Sequence, residues 1–179
     1  MIEHRPHGLL LHYNPNDKTT KILMRDLYFA NGIAVSPDNT FLLVVETSAY
    51  RVRKVWLDPE HKPQSKIIID NLPGMPDGIS SGSDGRFWLP LVAPRNALLD
   101  KLSQSPKIRQ ALLRFPEFLQ PKIAHYSFVL SINQDGKVLN NLQGASSDGF
   151  GSISSVEEWG SHIYLGSIAA NSIARLPLP

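Results

Sequence analysis

Cysteine is absent from this 179-residue chain. Disulfide staples and thiolate metal sites are thereby excluded, and no redox compartment can be read from it. An excess of one charge is also lacking. Eighteen Lys and Arg against 16 Asp and Glu leave a net charge of +2, which points to no nucleic acid or membrane-surface partner. No apolar run reaches the roughly 18 residues of a helical membrane span. The opening residues, MIEHRPHGLLLHY, do not read as a signal peptide, because Glu3, His4, Arg5 and Pro6 interrupt any apolar region. Ser146 and Ser147 lack a hydrolase elbow, Gly-x-Ser-x-Gly being read as absent, so serine catalysis is not expected.

What the chain does have is turns, apolar runs and an echo. Its 12 Gly and 14 Pro punctuate a sequence that is 42% hydrophobic, enough for one domain with a core. The stretch FANGIAVSPDNTFLLVVET reads as two short strands, 32–36 and 40–46, joined by a Pro37-Asp38-Asn39 turn. The pattern returns at Asp77 as DGISSGSDGRFWLPLV. Asn31 matches Asp77, Gly32 matches Gly78, Ile33 matches Ile79, Asp38 matches Asp84 and Phe41 matches Phe87, all at an offset of 46 residues. Within that unit, 51–57 and 66–70 read as two more strands. The basic cluster Arg51, Arg53 and Lys54 alternates with apolar residues, as a solvated strand face would.

The second unit is interrupted. Residues 93–122 change to helical spacing, and prolines at 94, 106, 116 and 121 divide them into two short helices and a tail. Strand text resumes at 126–133, turns at Asp135-Gly136 and runs to 142. A third unit begins near Gly151, with Ile153 placed where Ile33 and Ile79 fall and Gly151 in phase with Asn31 and Asp77. Its offset exceeds 46 by 28 residues, about the length of the insert. Ahead of all this, 8–13 and 21–24 form a hairpin with no strands before it. Four strands per repeat of 40–50 residues is the mark of a β-propeller blade. The expected architecture is all-β: one domain over 1–179, a partial ring of a little over three blades, with a helical lid insertion at 93–122.

The segments FANGIAVSPDNTFLLVVETSAYRVRKVWL, NLPGMPDGI, FWLPLVAPRN and HIYLGSIAANSIARLPL together resemble the strictosidine synthase-like family, which includes the adipocyte plasma membrane-associated proteins. That family is related more distantly to gluconolactonases and paraoxonases. The resemblance runs from about Gly8 to Leu178. It implies a six-bladed propeller with a cation, Ca2+, in its central channel and a lid over it. Family members are considerably longer, so the resemblance implies that this chain is their C-terminal part.

The resemblance also carries roles. In the lactonase-type relatives, the Asn before a Gly and the Asp of Pro-Asp-Gly ligate the metal, which implies Asn31 and Asp77 here. Carboxylate and amide oxygens suit Ca2+, which takes 6–8 oxygens. The alternative is that both are turn residues capping loop backbone. The implied reaction is hydrolysis of a small-molecule ester or lactone. His125, just after the insert, is the candidate general base, against a plain role hydrogen-bonding a loop. Phe87, Trp88 and Phe115 either line an apolar pocket or pack blade cores. The acid/base Glu of strictosidine synthase falls on Ser154, which argues against Pictet–Spengler chemistry. A non-catalytic or truncated propeller scaffold remains the other functional class.

An open ring leaves a blade face uncovered, here bearing Leu9, Leu11 and Ile22, and exposes strand edges. The isolated chain is therefore expected to self-associate or to be unstable. Light scattering checks this, and a monodisperse monomer with one cooperative melt would contradict it.

Overall fold

A computed structural model describes residues 5–101, 126–144 and 150–179. The described residues form four antiparallel sheets that follow one another along the chain. The first is a hairpin, β1 (Gly8–Asn14) with β2 (Thr19–Leu27). The second is a complete four-stranded blade in the order β3 (Ala30–Val35), β4 (Phe41–Glu46), β5 (Arg51–Trp56) and β6 (Ser65–Ile69). In the third, the innermost strand is broken into β7 (Gly74–Pro76) and β8 (Ser80–Ser81). It is followed by β9 (Phe87–Pro94), β10 (Ser127–Ile132) and β11 (Val138–Gly144). The fourth contains β12 (Ile153–Trp159), β13 (His162–Ser167) and β14 (Ala174–Pro177). The chain is all-β, a partial ring of β-propeller blades.

Of the segment 93–122, expected to form a helical lid, residues 93–101 are described. β9 runs to Pro94, inside the segment expected to leave the blade, and one short helix, α1 (Ala97–Lys101), follows. The remainder of 93–122, with Phe115, and also His125, Ser146 and Ser147, lie outside the described residues.

Local chemistry sets the β3–β4 hairpin. The Ser36 hydroxyl oxygen accepts from the backbone N–H of Thr40 and of Phe41, both at 3.0 Å. Asp38 accepts from the Thr40 hydroxyl at 2.9 Å, and Asn39 takes the left-handed conformation at φ 56°. Both faces of β4 are buried, so it reads as an unbroken apolar run rather than an alternating one. Phe41, Leu43 and Val45 face the third sheet, packing with Phe87, Leu89 and Leu91. Leu42 and Val44 face the first, packing with Leu10 and Leu27. Trp88 points the other way on β9 and joins Ile153, Val156 and Ile163 of the fourth sheet. Phe87 and Trp88 are thus blade-core residues, 1% and 0% exposed. Burying a side chain of this kind contributes about 1.5–3 kcal/mol.

The sequence echo is shifted by one residue past the turn. Ser36 N–H bonds the carbonyl of Phe41, whereas Gly82 N–H bonds that of Arg86, so the second turn is one residue shorter. Phe41 and Phe87 therefore do not occupy equal places. They meet across the blade interface with ring centroids 6.1 Å apart.

The basic cluster is not a solvated face. Arg51 and Arg53 converge on the carboxylate of Glu46, which is fully buried. Lys54 is 8% exposed, with its ammonium 3.8 Å from the centre of the Phe41 ring. Leu9, Leu11 and Ile22 are exposed, as the uncovered first face requires, and Ile33 and Val35 of β3 join them.

The blades are tied near the axis through β8. Its two serines point to opposite faces, as strand pleating demands. Ser80 Oγ donates to the carbonyl of Val156 and Ser81 Oγ to that of Val35, each at 2.6 Å, one bond into each neighbouring blade. Glycines let the innermost strands approach. A Cβ on Gly32 would lie 2.6 Å from the carbonyl oxygen of Asp77, and one on Gly78 would lie 2.7 Å from that of Ser154. Both obstacles are backbone. Gly78→Ala is therefore expected to destabilise the chain by about 1–3 kcal/mol, read as a lower urea midpoint with the slope unchanged. A midpoint equal to wild type would contradict the close approach.

Candidate functional site

Asn31 stands at the start of β3 and Asp77 in the break between β7 and β8. Although 46 residues apart, their side chains touch, with the Asn31 amide donating to Asp77 Oδ1. The backbone beside them is joined as well. Gly32 N–H donates to the Asp77 carbonyl at 2.9 Å, and Asp77 N–H to that of Pro90 at 3.2 Å. Both expected metal-site residues are therefore brought together by the closest approach of two inner strands.

The Asp77 carboxyl is half-buried, and burial pushes its pKa above the ordinary carboxylate value, opposed in part by the Asn31 hydrogen bond. Among the described residues no cationic side chain forms an ion pair with it. The oxygen and nitrogen of an Asn amide are placed by hydrogen-bond inference. With the amide turned over, Asn31 Oδ1 would lie against the carboxylate, and two hard oxygens with one uncompensated negative charge would face each other. That donor set fits a divalent cation such as Ca2+. It supplies fewer than the 6–8 oxygens such an ion takes, and among the described residues no group of three His, Cys, Asp or Glu side chains stands ready for a metal.

The third member of the phase is not Gly151. The Phe29 carbonyl, two residues before Asn31, accepts from Thr47 N–H at 3.1 Å. The Ser152 carbonyl accepts in the same way from Ile168 N–H at 3.2 Å, and two residues after it comes Ser154. The cross-blade bond agrees. Gly78 N–H donates to the Ser154 carbonyl at 3.0 Å, as Gly32 N–H does to that of Asp77. Matching on Ile153 misplaces the phase: by ladder partners it is Val156, paired with Leu165, that stands where Ile33, paired with Val44, does, and the β12–β13 turn is two residues shorter than the β3–β4 turn.

One motif escaped the sequence reading. Gly78-Ile79-Ser80-Ser81-Gly82 spells Gly-x-Ser-x-Gly. Its Ser80 lies on β8, between strands rather than at a strand-to-helix turn, and its hydroxyl is bonded to Val156. It is a tie between blades, not a nucleophile elbow.

Glu46 secures the loop that presents Asn31. Its carboxylate accepts from Arg51 Nε and Nη2 at 2.8 Å each, from Arg53 Nε at 2.9 Å and from the backbone N–H of Tyr28 at 3.0 Å. Ala30 pairs with Glu46 across the β3–β4 ladder. Burial pushes the Glu46 pKa up, but the bonds from Arg51, Tyr28 and Arg53 outweigh it and hold the carboxyl below its ordinary value. Beside this cluster, a cleft of about 300 Å3 is lined by Tyr28, Ser48, Ala49, Tyr50, Arg51, Arg95 and Asp100.

With this geometry established, the comparisons with known proteins are specific. Residues 1–60 match the sequence pattern described as strictosidine synthase. Over 99% of its length the chain is 32% identical to adipocyte plasma membrane-associated protein of Bos taurus. Over 96% of its length it is 32% identical to protein strictosidine synthase-like 3 of Arabidopsis thaliana. The chain is strictosidine synthase-like. It spans 45% of the length of each of those two relatives. Among solved structures it is similar to a gluconolactonase of Xanthomonas campestris, with a TM-score of 0.62 and 15% identity over 97% of this chain and 45% of that one. It is also similar to regucalcin of Agrobacterium tumefaciens, described as a calcium-binding protein, with a TM-score of 0.58 and 17% identity over 93% of this chain and 48% of that one. These two likenesses establish the propeller fold.

Glu46→Gln leaves two guanidinium groups short of a buried partner and is expected to cost about 3 kcal/mol at neutral pH. Because the folded carboxyl is held below its unfolded value, the contribution is fully present above pH 4.5 and is lost as pH falls below it. Urea midpoints of wild type and variant should therefore converge in acid. A gap independent of pH would assign the loss to packing instead.

Proposed function

We propose that this strictosidine synthase-like chain contributes the axial cation site of a Ca2+-dependent hydrolase of lactones or aryl esters. The observation that carries the proposal is the meeting of Asn31 with a partly desolvated Asp77 carboxylate that lacks a cationic partner among the described residues. Support comes from the likeness of the fold to a gluconolactonase and to a calcium-binding regucalcin. Asp77 supplies the negative charge and Asn31 a neutral oxygen beside it. The Gly32 N–H bond to the Asp77 backbone fixes the carboxylate in place. Bound here, a divalent cation supplies Lewis-acid polarisation of a substrate carbonyl. His125 is proposed as the group that accepts a proton from the attacking water. The half-length span relative to the matched proteins favours a second reading, a propeller scaffold without catalysis, because two protein oxygens hold a cation poorly alone.

Calcium should stabilise the chain by about 2.7 kcal/mol at a hundredfold excess over its Kd, read as a rise in melting temperature that EDTA reverses. Asp77→Ala should abolish that rise. Wild-type chain indifferent to calcium would overturn the site. Calcium binding without turnover of phenyl acetate or a γ-lactone would leave the scaffold reading.

A further inference from the structure

The inner strands repeat one bond. Gly32 N–H reaches the carbonyl of Asp77, and Gly78 N–H reaches that of Ser154. The carbonyl anchors at Phe29 and Ser152 place Asn31 and Ser154 each two residues further on. Asn31, Asp77 and Ser154 thus stand at one level on three successive inner strands. Gly32 and Gly78 hold those strands at a separation that leaves no room for a Cβ between them.

Ser154 also differs from its neighbours. Ser80 and Ser81 spend their hydroxyls on backbone carbonyls of the adjoining blades. The half-buried Ser154 uses its carbonyl for the blade tie, and among the described residues its hydroxyl takes part in no hydrogen bond. A half-buried hydroxyl without a partner forgoes the contribution that a hydrogen bond would make. Its oxygen is a hard donor of the kind Ca2+ accepts.

We propose that Ser154 is a third oxygen donor of the axial site, ligating a divalent cation together with Asn31 and Asp77. The proposal rests on the cation reading of Asn31 and Asp77. It extends that reading to a blade in which the sequence phase had pointed to Gly151, a residue without a side chain. Ser154 gives the cation a neutral donor from the fourth sheet, so the chain supplies three protein oxygens bearing a single negative charge. The site thereby takes a small hard cation and leaves coordination positions for water or a substrate carbonyl.

Calorimetric titration of Ca2+ into the whole chain tests this, with wild type, Ser154→Ala, Ser154→Asp and Asp77→Ala compared after folding is verified by near-UV circular dichroism. Ser154→Ala should bind calcium roughly tenfold more weakly. Ser154→Asp, which keeps an oxygen and adds a charge, should bind more tightly than wild type. In EDTA Ser154→Ala should melt close to wild type, because the hydroxyl carries no structural bond. Ser154→Ala matching wild-type affinity while Asp77→Ala binds nothing would remove Ser154 from the site and leave the other two residues in place. Should Ser154→Ala fail to fold, Ser154→Asp decides alone, and affinity no higher than wild type overturns the proposal. Wild type that takes up no calcium would overturn the proposal and the cation reading together.

Discussion

The structure depends on how closely its innermost strands can run. At Gly32 and Gly78 the backbone of one blade lies against the backbone of the next, with a single N–H to carbonyl bond crossing each gap. Any side chain there would hold the strands apart. That spacing fixes everything nearer the axis, because residues in phase can meet only if the strands bearing them do. It also fixes what lies outside. With the inner strands in register, β4 and β9 fall into the sandwich between blades, and Phe41, Trp88 and their neighbours find partners on both sides.

Charge is handled differently in two nearby places. Glu46 is deeply buried yet well satisfied, with two guanidinium groups and a backbone amide around it, and its carboxyl is held in the ionised form. Asp77 is less buried, and among the described residues its carboxyl has only the Asn31 amide; burial pushes it toward the protonated form. The first arrangement is complete and serves the fold. The second is electrostatically unfinished, and that is the ground on which a cation is proposed there.

The fold was legible because blade strands carry strong local signals. The Pro37-Asp38-Asn39 turn, the apolar run of β4 and the spacing of the repeat place β3 to β6 within a residue or two of where they are found. The meeting of Asn31 and Asp77 was legible from the same period. What failed was arithmetic across irregularities. A turn shorter by one residue moves Phe87 out of phase with Phe41, and a β12–β13 turn shorter by two hides that Ser154, not Gly151, holds the third position. Neither leaves a mark in composition or alternation. The basic strand was misread for a related reason. Alternation of Arg51, Arg53 and Lys54 with apolar residues looks solvent-facing, but an acid one strand away, Glu46, draws the arginines inward, and an aromatic ring accepts the lysine.

The two-sided burial of β4 has a bearing on how the chain acquires its structure. The partners of Phe41, Leu43 and Val45 include Phe87, Leu89 and Leu91, while those of Leu42 and Val44 include Leu10 and Leu27. On a ribosome the earlier partners emerge first, and the strand waits with one oily face wet until the following unit is made. Each blade is thus finished by its successor. Order propagates in the direction of synthesis, with loop closures of some 45 residues setting its pace.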